Sequence, residues 1–117
     1  MPRIPLSKRL SVSIMTVNSS IINDRFVVKT LRAIAHPMRF KALQQIHKYG
    51  EIQVAELQNI LHTEQSLLSH HLSKMRKAGV LRTKRHGRII RYSIADPALM
   101  DLLRAMNDLN FKDTQRS

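Results

Sequence analysis

The 117-residue chain contains no cysteine, no tryptophan, only three glycines and few aromatic residues. Without cysteine, disulfide bonds and thiolate metal sites are excluded, because both need a thiol sulfur. The Gly-rich phosphate loops of nucleotide-binding enzymes are also missing, as are a nucleophile elbow, a metal-protease helix and a paired-carboxylate pocket. The sequence therefore predicts a protein that is not an enzyme and uses no cofactor.

Long apolar runs are lacking too, since all fall far below the ~18 residues that a membrane helix needs. Residues 1–18 include a short apolar patch, but Ser11, Ser13 and Thr16 interrupt it and no small-residue cleavage site follows. We therefore expect a cytoplasmic protein with no secretory signal and no membrane partner. Residues 1–18 are expected to form a flexible basic arm, either a simple tail or a segment that adds a phosphate contact.

Basic charge is abundant and unevenly distributed along the chain. Residues 65–95 contain eight Lys or Arg and no Asp or Glu, whereas the other residues hold all eight acidic groups. Such a stretch is typical of a polyanion-binding surface, although a charge run is also compatible with a plain solvated face. The scarcity of aromatics argues against stacking on single-stranded bases. Double-stranded DNA is the favoured partner, with RNA or an acidic protein as the alternatives.

The start of this basic stretch has the pattern of an amphipathic helix. Thr63 or Glu64 can open the helix, because an oxygen-bearing side chain can accept the first free amides. Leu68, Leu72 and Met75 recur at i, i+4 and i+7, which places them on one buried face. The residues predicted to contact DNA from the opposite face and its flanks are Gln65, Ser66, Ser69, His70, Lys74 and Lys77.

A β-hairpin is predicted directly after this helix. Gly79 ends the helix, because glycine readily adopts the left-handed conformation of a C-terminal cap. Two alternating runs at 80–85 and 88–94 follow, joined by a turn at His86-Gly87. The hairpin residues predicted to contact DNA are Arg82, Lys84, Arg85, His86, Arg88 and Arg91. A polar-faced helix followed by a basic hairpin is the layout of a winged helix-turn-helix DNA reader.

The predicted fold is mainly α with a small β-hairpin wing, an α+β winged helix-turn-helix of about five helices and two to three short strands. The other helices are expected at 19–35, where Ser19, Ser20 or Asn23 can form the cap, at 38–48, which Gly50 ends, and at 54–61 and 97–110. A short strand is expected at 51–53. Pro37 separates the first two, because proline disfavours helix at the residue before it and suits a first helical turn. The folded domain is expected to span 19–110, and 111–117 to form a polar tail.

Both terminal helices carry apolar stripes beyond what a domain of this size needs for its own core. We expect these stripes to pack against a second copy of the chain, the alternative being that each only covers its own core. The expected dimer contacts are Ile22, Phe26, Leu99, Leu102, Leu103, Met106 and Leu109.

Four segments resemble the ArsR/SmtB repressors, in the same order along the chain. They are LRAIAHPMRFKAL at 31–43, VAEL at 54–57, QSLLSHHL at 65–72 and the predicted hairpin at 81–92. Together they extend over more than half of the chain. The resemblance implies a homodimeric winged-helix transcriptional regulator, usually a repressor that is released by a bound ion or by thiol chemistry.

Six histidines raise the question of a metal site, because imidazole is a common zinc ligand. The thiolate site of the resembled family is excluded by the lack of cysteine. Its last-helix site is also incomplete, since 97–110 offers Asp101 and Asp108 but no histidine, a poor set for a transition metal. His71 is expected to be a packed, hydrogen-bonded residue at the core edge. We predict no metal site and no identifiable inducer; the alternative is a non-standard His/carboxylate site.

Overall fold

The computed structural model describes residues 22–110, so the predicted arm at 1–18 and the tail at 111–117 lie outside it. Its helices are α1 (Asp24–Ile34), α2 (Pro37–Tyr49), α3 (Val54–Leu61), α4 (Gln65–Lys77) and α5 (Ala98–Asn107). Its strands β1 (Ile52–Gln53), β2 (Leu81–His86) and β3 (Ile89–Ile94) form an antiparallel sheet in the order β1-β3-β2. This architecture confirms the predicted fold. Between residues 22 and 110, every helix is too short or too polar to cross a bilayer.

The first two helices begin at capping residues. Asn23 opens α1, since its Oδ1 accepts a hydrogen bond from the Phe26 amide at 3.1 Å. Of the three predicted caps, Asn23 is the one that the helix uses. A start near residue 19 is wrong, because residues 22 and 23 are not helical. At the start of α2, Nδ1 of His36 accepts a hydrogen bond from the Met38 amide at 3.0 Å. Pro37 takes the first helical position, where no amide hydrogen is needed, as predicted.

The turn between α3 and α4 is made by a residue in the left-handed conformation. His62 has φ +54°, the one positive value at a non-glycine position within 22–110. Its amide donates to the Gln58 carbonyl at 2.9 Å, which closes the last turn of α3. Helix α4 then begins after Glu64, whose backbone is extended but whose side chain forms no capping hydrogen bond. The helix start is therefore as predicted, whereas the side-chain cap is not formed.

The hairpin loop is the two-residue segment Gly87-Arg88, one residue later than predicted. His86 belongs to β2 and lies opposite Ile89, and Gly87 takes φ +65°. Directly opposed residues project from the same sheet face. The face turned toward the core has Leu81, Ile94, Tyr92 and, from β1, Ile52, and the outer face has Arg82, Lys84, His86, Ile89, Arg91 and Ser93.

The core gathers side chains from the last turn of α1, from α2, α3, α4 and α5, and from the base of the sheet. Its fully buried large members are Leu43, Ile46, Leu57, Leu68, Leu72 and Met75. Burying one such leucine stabilises the fold by about 1.5–3 kcal/mol. Since three of the six belong to α4, this helix is held firmly along one side, and most of its other side is exposed to solvent.

Candidate nucleic-acid interface

Helix α4, the predicted recognition helix, is divided into a buried and an exposed face. Leu68, Leu72 and Met75 have no solvent exposure, as predicted, and His71 is buried beside them. Of the residues predicted to contact DNA, Ser69 is half-buried. The others are exposed: Gln65, Ser66, His70, Lys74 and Lys77. This face presents amide, hydroxyl, imidazole and ammonium groups, which can hydrogen-bond to base edges and phosphates.

One apolar residue on this helix was not predicted to lie at the surface. Leu67 is 45% exposed, whereas its neighbour Leu68 is fully buried. On a helix, His70 and Lys74 at i+3 and i+7 share its side, so Leu67 lies among residues predicted to contact DNA. The sequence did contain the signal, because Leu67 falls about 100° away from the centre of the buried stripe.

A contact between α2 and α4 positions the recognition helix. The Arg39 Nε–H donates a hydrogen bond to Nδ1 of His71 at 3.0 Å, and Nη1 donates to the Ala33 carbonyl at 3.0 Å. The His36 ring lies 4.4 Å from the His71 ring, measured between centroids. Arginine can only donate, so Nδ1 of His71 carries no hydrogen and the neutral ring is protonated at Nε2. The prediction that His71 is packed and hydrogen-bonded is confirmed; its partner Arg39 was not predicted.

The surroundings of His71 favour its neutral form. Burial lowers the pKa of His71 below its ordinary value of 6.5, and the nearby His36, Arg39 and His70 lower this pKa further. Protonation of His71 would place a second positive charge beside the Arg39 guanidinium, in a site that is shielded from water. At neutral pH the ring therefore remains the acceptor that Arg39 needs.

The outer face of the hairpin is cationic. Arg82, Lys84 and Arg91 share it, and only Arg91 is half-buried. Lys84 Nζ lies 3.6 Å from Oε2 of Glu51, with side-chain exposures of 61% and 44%. An exposed ion pair of this kind is weak, so the lysine can exchange its carboxylate for a phosphate at little cost.

The tip of the hairpin brings further predicted contact residues together. Arg85, His86 and Arg88 are all exposed there. The Arg85 guanidinium folds back on the loop, where Nη1 lies 3.4 Å from the Gly87 carbonyl. The predicted wing residues thus form one continuous basic hairpin that follows the recognition helix in the chain and whose base packs into the same core.

The residues predicted to form the dimer contact do not share one environment. Leu103 is buried in the core of its own chain, and Leu99 is half-buried against that core. Leu102, Met106 and Leu109 are exposed. Of the residues outside α5, Ile22 and Phe26 are exposed as well.

The six histidines are the candidate metal ligands of this chain. Within 22–110, no three His, Asp or Glu side chains are arranged to hold a metal ion. The rings of His36 and His71 are close, but Nδ1 of His36 accepts from the Met38 amide and Nδ1 of His71 accepts from Arg39. Neither of these two nitrogen atoms is therefore available to a cation.

An exposed polar helix face and a basic hairpin on this order of elements define a winged helix-turn-helix, a fold of DNA-binding transcriptional regulators. The family described as "Bacterial regulatory protein, arsR family" matches residues 36–83. The transcriptional repressor PagR of Bacillus anthracis is 37% identical over 90 residues, which cover 77% of this chain and 87% of PagR. The chain belongs to the ArsR family, as the resemblance implied.

Solved structures agree with this assignment. The crystal structure of PagR of Bacillus anthracis superposes with a TM-score of 0.64 at 34% identity, covering 70% of this chain and 93% of PagR. NolR from Sinorhizobium fredii superposes with a TM-score of 0.66 at 29% identity, covering 81% of this chain and 95% of NolR. The family consists of transcriptional regulators and is not a class of enzymes.

Proposed function

We propose that the chain acts as a homodimeric, sequence-specific repressor that binds an inverted repeat in double-stranded DNA. The observation that carries the proposal is the coincidence of the exposed polar face of α4 with the cationic hairpin, in a stretch where residues 65–95 contain no acid. PagR is described as a transcriptional repressor, and this supports repression of transcription as the effect of DNA binding. Binding over a promoter would block transcription by occupying the DNA.

Each part of the surface is assigned a different task. The first half of α4 enters the major groove, where Gln65 is suited to adenine and Ser66, Ser69 and His70 reach base edges or nearby phosphates. The tip of the hairpin enters the minor groove. The cations supply affinity for phosphate without regard to sequence: Lys74, Lys77, Arg82, Lys84, Arg85, Arg88 and Arg91.

A second copy of the chain is the proposed partner of the terminal helices. The exposed apolar side chains Leu102, Met106 and Leu109 support this proposal, because burying them against a matching surface removes apolar area from water. Ile22 and Phe26 are exposed and apolar as well. A two-fold dimer would bring two copies of α4 to successive major grooves on one side of the duplex.

Selection of bound duplexes from random sequence tests these statements together. We expect an inverted repeat with half-sites about one helical turn apart, and a dimer by light scattering. A single asymmetric site together with a monomer would contradict the dimer. If single-stranded RNA competes as well as duplex DNA at matched salt, the basic surface is a general polyanion-binding module instead.

We also propose that no metal ion controls this binding. A ligand shifts an equilibrium only by its different affinities for the two states, and the six histidines and eight carboxylates form no familiar cluster in the sequence. Micromolar zinc, nickel or cobalt should change operator affinity by less than about twofold, well below the 1–3 kcal/mol typical of allosteric coupling. A tenfold release that a chelator reverses would reveal a non-standard site, with His36, His47 and His62 as the first positions to replace.

A further inference from the structure

The position of Leu67 on α4 is unusual for a leucine. It is the third residue of the helix and is 45% exposed, in a stretch whose other exposed residues are almost all polar or basic. The core does not need it, because Leu68 beside it is already fully buried. In helix-turn-helix proteins the first residues of the recognition helix are the ones that meet base edges. Leu67 therefore lies in the turn that reads sequence, yet it has no hydrogen-bonding group.

The floor of the major groove offers one apolar group to such a side chain. Thymine carries a C5-methyl group there, and apolar side chains discriminate thymine by contact with this methyl. Cytosine, adenine and guanine have no methyl group in the same groove and are distinguished there by their hydrogen-bond donors and acceptors. A leucine facing them would cover hydrogen-bonding groups without replacing their water, which costs free energy.

We propose that Leu67 reads a thymine in each half-site through contact with its C5-methyl group. This inference rests on the proposed function, since it requires α4 to enter the major groove. The neighbours Ser66 and His70 supply polar contacts around the same position, and Leu67 supplies the apolar one. The residue thereby sets specificity without adding to the phosphate contacts.

The test removes one methyl group from the DNA and the matching side chain from the protein. In the duplex obtained by selection, each thymine is replaced in turn by deoxyuridine, which differs only by the C5-methyl. For the unmodified protein we expect one symmetric pair of positions to lose about fourfold in affinity per half-site, corresponding to ~0.8 kcal/mol per methyl group removed from water. Replacement at other thymines should have little effect.

Leu67→Ala should bind the selected duplex more weakly than the unmodified protein does. Its affinity should not change further when deoxyuridine replaces thymine at that position. Leu67→Met keeps an apolar side chain of similar size and should retain the sensitivity. Ile89→Ala is the matched control, because Ile89 is the exposed apolar residue of the hairpin and is 41% exposed. It should show the same deoxyuridine profile as the unmodified protein.

The outcomes separate this inference from the function on which it rests. If a selected duplex is bound specifically but Leu67→Ala keeps the full deoxyuridine sensitivity, or the unmodified protein has none, the thymine contact is overturned and the DNA-binding function stands. If no duplex is bound in preference to a scrambled one, both are overturned. Since Leu67 is exposed, circular dichroism of Leu67→Ala should match that of the unmodified protein.

Discussion

Helix α4 and the β2–β3 hairpin are both basic, but they are attached to the domain in different ways. The helix is held by three fully buried side chains and by the hydrogen bond that Arg39 donates to His71. Most of the hairpin is exposed, and beyond its base it is held by strand pairing and a weak ion pair between Lys84 and Glu51. The helix therefore has a fixed orientation, while the cations of the hairpin can adjust their positions.

This difference matches the demands of the two proposed tasks. Hydrogen bonds to base edges require side chains held in a definite geometry, because a misplaced donor loses its partner. Phosphate attraction is tolerant of position, since it depends mainly on charge and falls with salt. The comparison thus predicts that changes in the buried face or the first half of α4 affect folding or sequence preference, whereas changes in the cations of the hairpin affect affinity for all duplexes.

The largest effect is expected from the two faces of α4 itself. Leu72→Ala opens a cavity at a fully buried position and should lower the free energy of unfolding by about 2–5 kcal/mol. Leu67→Ala makes the same chemical change at an exposed position of the same helix and should cost less than about 1 kcal/mol. Urea denaturation monitored by circular dichroism measures both. Equal losses would mean that the exposed face of α4 also contributes to the core.

The next largest effect distinguishes recognition of a base from electrostatic attraction to phosphate. Gln65→Ala should relax the base preference at one position of the operator, at a cost of about 1–3 kcal/mol there, because a bidentate contact is lost. Arg88→Ala should weaken specific and random duplexes alike and lower the salt slope by about one for the lost phosphate contact. Fluorescence anisotropy over a salt series gives both quantities. A loss that is equal on specific and random DNA for Gln65→Ala would contradict its base-reading role.

A pH dependence of stability is expected from the contact that holds α4. The pKa of His71 is lowered in the folded state below 6.5, so the unfolded chain binds the proton more readily. Unfolding is therefore favoured as the pH falls below 6.5, whereas above this value the residue contributes no pH dependence. His71→Gln keeps an acceptor for Arg39 but does not titrate, and its stability should fall less steeply between pH 7 and pH 5.

The measurement for His71 is the urea midpoint at each pH. His86→Gln, which removes one histidine from the hairpin, is the matched control and should retain the slope of the unmodified protein. Parallel curves for the unmodified protein and His71→Gln would show that the buried imidazole does not control acid sensitivity.

Local signals predicted most of the helix boundaries, because they act within a few residues. Pro37 at the first position of α2 and the glycines with positive φ at Gly50 and Gly79 are such signals, and each ends or begins a helix where expected. The hairpin loop was misplaced by one residue, since a single glycine is compatible with either the first or the second position of a two-residue loop. Asn23 was one of three possible caps for α1, and the sequence alone did not distinguish them.

Contacts between residues that are far apart in the sequence could not be predicted. Arg39 and His71 are 32 positions apart, and no periodicity relates them. Leu67 and Leu68 are residues of the same type, so hydrophobicity does not distinguish them. Only their angular positions on the helix indicate that Leu67 is exposed and Leu68 is buried. The apolar stripe of α5 combined Leu103, which is buried in the core of its own chain, with Leu102, which is exposed.

The smallest effect concerns the ion pair on the hairpin. Glu51→Gln removes the partner of Lys84, and because both side chains are largely exposed, the free energy of unfolding should change by less than about 1 kcal/mol. The same change releases Lys84 for phosphate and removes a carboxylate from the cationic face of the wing. Affinity for any duplex should therefore rise slightly at low salt, and the gain should disappear as salt screens the charges.

Asp101→Asn is the matched control for this gain. It also removes one negative charge and breaks an exposed pair, in which Arg104 Nη2 lies 3.5 Å from Oδ1 of Asp101, but it does so on α5. If the position of the charge matters, Glu51→Gln should raise affinity more than Asp101→Asn at the same ionic strength. Equal gains would show that net charge alone is responsible, and would contradict a gain from releasing Lys84 for phosphate.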